Sequence, residues 1–251
     1  MTTTVSRLCL DALRARKARQ EGYVGPWLPE PWVEEMPDES PALEAGLELA
    51  DDLSMAFLLL LERLAPEERA AFLLHDVFDV GYPEIAIVVN KREDAVRQIV
   101  TRARKRVAEE RPRFRASRVA QRRLAEQFIM AVLMRDPAQL ASLFKPDAVL
   151  MTDGGGKVKA ALRPIKGAAK IAKFFLGITQ DSPPDAFRLD IGWMNEGVCL
   201  FVFDQSGTAL MALGFDVRDG VIDGVFGVSN PDKLRTIRSQ TSPDRGSDSV
   251  P

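Results

Sequence analysis

YPEIAIVVNKREDAVRQIVTRARKRVAEE, residues 82–110, decides the reading of the first half of this 251-residue chain. Residues 82–89 read as a short helix, NKRE as a turn, and 93–110 as a longer helix. In that longer helix Val96, Ile99, Val100, Ala103 and Val107 recur at helical spacing and form one apolar stripe. Upstream, residues 66–79 open with Pro66 in the first turn and with Glu67 and Glu68 beside the positive end of the helix dipole. Gly81 stops that helix. Residues 51–64 make an earlier one, with Asp51 as its N-cap. Two short helices, a tight turn and a basic last helix match a helix-turn-helix.

The charges on the last helix suit nucleic acid. Lys91 and Arg92 sit in the turn, where they can meet a phosphate. Arg97 and Gln98, near the helix start, are placed to reach base edges, since Arg reads guanine and Gln reads adenine. Arg102, Arg104 and Lys105 lie further along and suit phosphates. The competing reading is a solvated basic face; the short helix and turn in front of it argue for the functional one. RARKAR at 14–19 reads equally as a phosphate contact or as a solvated helix end.

Composition narrows the remaining options. The formal net charge is −2, so attraction to nucleic acid must come from a local patch. Cys9 and Cys199 stand far apart, without metal-ligand spacing, and read as free thiols in a reducing cytoplasm. The single histidine, His75, excludes a His-rich metal site and reads as an ordinary helix residue. The first twenty residues turn basic where a signal peptide would be apolar. MAFLLLL at 55–61 is too short to span a bilayer, so no membrane partner is expected. No cofactor is expected either.

Residues 4–21 read as an amphipathic helix stopped by Gly22. YVGPWLPEPW (23–32) and the acidic stretch up to about residue 52 read as an extended linker, with prolines at 26, 29, 31 and 37. After Arg111-Pro112 the pattern changes. Residues 117–134 and 136–144 look helical, 148–153 and 157–165 look like strands, and 167–178 looks helical. Four short strands follow, broken at Gly197, Gly207 and Gly220. Helices followed by a run of antiparallel strands predict an α+β domain around a curved sheet. Trp193, Met194, Phe201, Phe203, Met211 and Phe215 read as core more than as ligand pocket. The polar stretch 239–251 reads as disordered.

LLERLAPEERAAFLLHDVFDVGYPEIAIVVNKREDAVRQIVTRARKRVAE (60–109) resembles region 4 of bacterial extracytoplasmic-function sigma factors, which implies binding to the −35 promoter element and to RNA polymerase core. TTTVSRLCLDALRARKARQEGYVGPWLPEP resembles the end of region 2 and the linker of the SigJ-like subgroup, whose members carry a fused C-terminal SnoaL-like domain. WLPEP at 27–31, DGGGK at 153–157 and NPDKL at 230–234 are the subgroup's three motifs, in order. The resemblance implies a multidomain chain: a residual region 2 helix and Pro-rich linker (1–50), a helix-turn-helix domain (51–113), a cone-shaped SnoaL-like barrel (117–230) and a tail (231–251). Most of region 2 would have to precede residue 4. Arg92, Ala95 and Thr101 depart from the expected recognition-helix residues, so promoter preference does not carry over.

DGGGK is no P-loop. That motif needs GxxxxGK[ST], and here Val158 follows Lys157. Two compatible readings remain: a Gly-rich connection between strands, or a latch between domains. In the latch, Trp27, Leu28, Pro29, Glu30 and Pro31 would meet Asp153, Gly154, Gly155, Gly156 and Lys157, together with Asn230, Pro231, Asp232, Lys233 and Leu234. Trp27 between prolines is a stiff anchor with little entropy to lose. SnoaL-like domains include polyketide cyclases, but the C-terminal domain has no histidine, and Asp190, Asp204, Asp216 and Asp223 lack a second group at telling spacing. The expectation is a non-enzymatic sigma factor regulated in cis, with a small apolar ligand in the barrel as an additional partner. The rival is a ligand-binding or cyclase-like protein with a vestigial DNA-binding domain.

Overall fold

The computed structural model describes residues 2–20, 22–33, 55–110, 116–180, 186–195 and 197–237. The chain divides into two compact units. One comprises residues 1–23 and 36–115, the other residues 24–35 and 116–251.

The first unit is helical: α1 (Thr2–Gln20), α2 (Met55–Arg63), α3 (Pro66–Asp76), α4 (Tyr82–Val89) and α5 (Glu93–Glu110). Local chemistry sets the boundaries. Pro66 stands in the first turn of α3, and Glu68 reaches back to accept the N–H of Ala65 at 3.1 Å. Asn90 takes a left-handed conformation (φ 54°) after α4, and the N–H of Lys91 closes onto the carbonyl of Ala86. The apolar stripe of α5 serves two cores. Val96, Ile99 and Val100 pack with Leu10, Ala71, Ile85, Val88 and Val89. Ala103 and Val107 pack with Phe57, Leu60, Leu61, Leu64 and Phe72. The helix-turn-helix is therefore held at both ends of its last helix. N-capping by Asp51 falls outside the described residues.

The second unit runs α6 (Arg118–Leu133), α7 (Pro137–Ser142), β1 (Phe144–Asp153), β2 (Ile165–Lys166), α8 (Ala168–Ile178), β3 (Arg188–Met194), β4 (Gly197–Phe203), β5 (Ala209–Arg218), β6 (Val221–Val228) and a 3₁₀ turn at Pro231–Lys233. Ser117 caps α6 and Asp136 caps α7 with their side chains. The strands form one six-stranded sheet in the order β2-β1-β6-β5-β4-β3. One core contains Phe128, Leu140, Leu150, Ile171, Phe175, Trp193, Leu200 and Phe215. Its hub is Phe128, with ring centroids 4.9 Å from Phe175, 5.2 Å from Phe215 and 6.3 Å from Phe144. Alternation along β4 turns Cys199, Phe201 and Phe203 to the opposite face, and these are buried too. Met194 sits beside Cys199, with the sulfurs 3.9 Å apart.

Three expectations need correction. Residues 157–164 are not a strand; only Ile165 and Lys166 pair with β1. The segment folds as a loop, because Thr152 Oγ1 accepts the N–H of Ala161 at 2.8 Å and Lys157 N–H closes a turn onto Gly154. Nor is the sheet wholly antiparallel: β1 runs parallel to β6, from Phe144↔Ile222 to Asp153↔Val228. The helix read at 136–144 is shorter, with Phe144 already in β1.

Candidate functional site

α5 turns its buried stripe inward. Stepping 100° per residue from that stripe puts Asp94, Gln98, Thr101 and Lys105 on the opposite ridge, with Arg102 beside them. All of these are exposed. Lys91 and Arg92 are exposed at the turn. Arg92 pairs with Asp94 at 2.5 Å, and that guanidinium holds the Asp94 carboxyl below its usual range. Arg97 leans to one flank, 2.5 Å from Glu93 and with its guanidinium carbon 4.3 Å from the centre of the Tyr82 ring. Arg104 is on the same flank and ties α5 to Asp76 at the end of α3. All seven expected DNA-facing residues are exposed, but Arg97 and Arg104 lie on the flank, engaged by Glu93 with Tyr82 and by Asp76 of α3. Thr101, at the centre of the ridge, was not singled out for reading DNA. Its hydroxyl donates to the carbonyl of Arg97 at 2.8 Å. Stepping the helical angle around from Gln98 was the signal that could have found it.

α1 lies on this helical unit. Leu10 is buried in the core, Arg14 bonds Glu67 at 2.8 Å, Arg16 approaches Glu62 at 3.4 Å, and Arg7 donates to the carbonyl of Ile87. Two arginines of the RARKAR run are therefore already partnered by carboxylates.

The second constellation brings the three pentapeptides together within one unit. Asp153 ends β1 with its side chain wholly buried. Its Oδ2 accepts the backbone N–H of Leu28 at 2.9 Å and the ammonium of Lys233 at 2.7 Å, while its Oδ1 accepts the N–H of Gly155 at 3.0 Å. Its carbonyl takes the N–H groups of Ser229 and Asn230 at 2.8 and 2.9 Å. Lys233 also donates to the carbonyl of Leu28 and stands 4.0 Å over the Trp27 ring. Leu28, Pro29, Pro31 and Leu234 are buried, and Glu30 is exposed. Lys157 pairs with Asp232, which this hydrogen bond holds below its usual range. Asn230 caps Pro231–Lys233 by accepting the N–H of Asp232 at 3.1 Å.

The glycines are explained by this packing. Gly155 has φ +62°, and a Cβ there would meet Asn230 Nδ2 at 2.3 Å. A Cβ on Gly154 would meet the carbonyl oxygen of Val158 at 2.5 Å. Further along, the N–H of Trp32 donates to Asn195 at 3.2 Å, Asn195 N–H returns to the carbonyl of Trp32 at 3.0 Å, and Val33 bridges Met194. The segment 24–33 is thus bound to the sheet at both ends.

The aspartates weighed for catalysis have structural partners. Asp216 and Asp223 both hold Arg218, at 2.9 and 3.0 Å. Asp190 faces Arg188 at 3.5 Å. Asp204 caps the β4–β5 turn through Ser206 and Thr208 and is held below its usual range by the Ser206 hydroxyl. Among the described residues no group of His, Cys, Asp or Glu is arranged to hold a metal, and no helix is long and apolar enough to cross a membrane.

Comparison with known proteins agrees with this geometry. Residues 54–107 match the family model described as Sigma-70, region 4. The chain is 34% identical over 242 residues to the ECF RNA polymerase sigma factor SigJ of Mycobacterium tuberculosis, covering 93% of this chain and 77% of the relative. It is 30% identical over 148 residues to the probable ECF sigma factor SigI of the same species, covering 58% of this chain and 50% of that relative. The crystal structure of M. tuberculosis SigJ superposes with a TM-score of 0.67 at 33% identity, covering 93% of this chain and 80% of that one. With its region 4 helix-turn-helix followed by an α+β unit, this chain belongs to the extracytoplasmic-function RNA polymerase sigma factors, which are not enzymes.

Proposed function

We propose that this sigma factor recognises a −35 promoter element through the outer ridge of α5 and that its SnoaL-like unit regulates it in cis. Promoter DNA and RNA polymerase core are the partners that family membership brings, and the cytoplasm is where they are met. In this reading Gln98 and Arg97 address base edges, with Thr101 between them. Lys91, Arg92, Arg102 and Lys105 hold phosphates. Arg104 acts indirectly, by fixing the angle of α5 against α3.

The observation that carries the regulatory half is the buried Asp153, which bonds both Leu28 and Lys233. One carboxylate closes WLPEP, DGGGK and NPDKL into a single clamp on the linker. The clamp is proposed as a two-state element. Closed, it fixes the chain between α1 and region 4; open, it frees that chain for the arrangement used on polymerase. The boundaries proposed are region 4 at 51–113 and the SnoaL-like domain at 117–230, with NPDKL as a functional extension of the latter. A small apolar ligand in the barrel is a weaker reading, because Phe128 and its aromatic neighbours occupy the interior. A regulator acting through its own clamp fits better.

The test selects duplexes from a randomised pool with the full chain and measures affinity for the enriched sequence. Gln98→Ala should relax the preference at one position and cost about tenfold in affinity, within the 1–3 kcal/mol of a bidentate base contact. Arg102→Ala should weaken all sequences evenly. No enrichment of any sequence would sink the α5 reading. Transcription unchanged by Asp153→Ala, in reconstituted polymerase, would sink the clamp.

A further inference from the structure

Residues 154–180 contain Lys157, Lys159, Arg163, Lys166, Lys170 and Lys173, and no aspartate or glutamate. All six cations are exposed, in a chain whose acids outnumber its bases overall. Lys157 is committed to Asp232. For Lys159, Arg163, Lys166, Lys170 and Lys173, no carboxylate partner exists among the described residues. Elsewhere several helix arginines are paired: Arg97 with Glu93, Arg122 with Glu126, and Arg104 with Asp76 of α3. The two lysines of α8 have no such pair among the described residues.

The geometry of α8 concentrates that charge. Ile171, Ala172 and Phe175 are buried in the core of the unit. Opposite them, at 100° per residue, lie Ala169, Lys170, Lys173 and Gly177. Arg135 extends onto the last turn, its guanidinium 3.4 Å from the carbonyl of Leu176, and Lys166 precedes the helix at the edge of the sheet. The ridge carries two adjacent lysines flanked by small residues, with cations at either end.

We propose that this ridge of α8 is a second duplex-DNA surface, binding the phosphate backbone without reading sequence. Three features favour DNA over other anionic partners. The ridge has no aromatic or large aliphatic residue to act as the desolvated anchor of a protein interface. The apolar face of α8 is consumed by the core apart from Ile178 at its last position, which is too little to anchor a helix in a bilayer. Lysines are flexible point charges suited to phosphates at varying register, and the chain as a sigma factor already brings duplex DNA close. The proposal does not depend on how α5 reads the promoter.

The experiment uses the full chain and a duplex of arbitrary sequence. Binding is measured from low to moderate salt for the native protein, for Lys170→Glu/Lys173→Glu, and for Arg102→Ala/Lys105→Ala in α5. A photo-crosslinking residue at Ala169 reports proximity directly. Each lysine on a phosphate contributes about 0.9 to the slope of log affinity against log salt, so the α8 variant should lose about 2 in slope. Crosslinks to DNA at Ala169 should accompany that loss. An unchanged slope with no crosslink overturns the proposal, and if only the α5 variant weakens binding, the α5 reading stands alone. A native slope combined with lost affinity for polymerase core would make the ridge a protein surface and also overturn it. Helical content of the variant, by circular dichroism, excludes misfolding as the cause.

Discussion

Leu28 donates its backbone N–H to the buried carboxylate of Asp153 at 2.9 Å, across 125 residues of sequence. The same oxygen receives Lys233 at 2.7 Å. A carboxylate without solvent exposure is tolerated because an ammonium and two backbone donors satisfy it.

Asp153→Ala should therefore destabilise the second unit by about 3 kcal/mol or more, since it strands a largely buried ammonium and a buried N–H. Urea unfolding measures this. Limited proteolysis should show faster cleavage within 24–33 in the same variant. A midpoint within error of the native protein would show that the clamp contributes nothing.

Gly155→Ala and Gly207→Ala form a matched pair. Both glycines have positive φ, +62° and +83°, but only at Gly155 does a Cβ collide, with Asn230; around Gly207 nothing lies within 4 Å. Gly207→Ala should cost about 1 kcal/mol, the conformational penalty alone. Gly155→Ala should cost more, because Asn230 must also move. Equal losses of melting temperature would mean that Asn230 yields freely.

The contact of α1 with Glu67 has a pH dependence of definite sign. The hydrogen bond from Arg14 holds Glu67 below its usual range. A lowered folded pKa adds stability above the unfolded pKa, and that stability fades as pH falls through the folded value. Docking of α1 should thus be firm at neutral pH and loosen below about pH 4. Amide exchange in α1 should accelerate on acidification, and Arg14→Ala should remove most of this dependence. A pH profile identical in the variant would assign it to other carboxylates.

The two thiols should differ in reactivity. Cys9 is exposed, whereas burial pushes the thiol of Cys199 far above the usual range. A thiolate reagent at pH 8 should label one cysteine per native chain and two in denaturant, with Cys9 identified by peptide mapping. Prompt labelling of Cys199 in the native protein would mean that its strand opens readily.

The helix-turn-helix was legible because its signals are local. The 3.6-residue period of Val96, Ile99, Val100, Ala103 and Val107, Pro66 at a helix start and Asn90 at a helix end act within a few residues. The segment 157–165 was misread for the complementary reason. Its mixed apolar and basic residues suit an edge strand, but the pairing is decided by Thr152, which captures Ala161 from nine residues away. The parallel pairing of β1 with β6 joins residues some 75 apart and leaves no local trace. Among the site residues, family motifs named the members of the clamp but not its atoms. Only tertiary structure puts Lys233 on Asp153 and over Trp27. On α5, residue chemistry drew attention to Arg104, while its engagement with Asp76 depends on the packing of α3.

Chain that the clamp holds is chain the linker cannot use. From Val33, bridged to Met194, to the start of α2 at Met55 lie 21 residues; from Gly22, with the clamp undone, there are 32. The difference is eleven residues, roughly 40 Å of chain at about 3.5 Å per extended residue. The contacts of Asp153 thus act as a reel that keeps those eleven residues wound onto the sheet and out of the connection between α1 and α2.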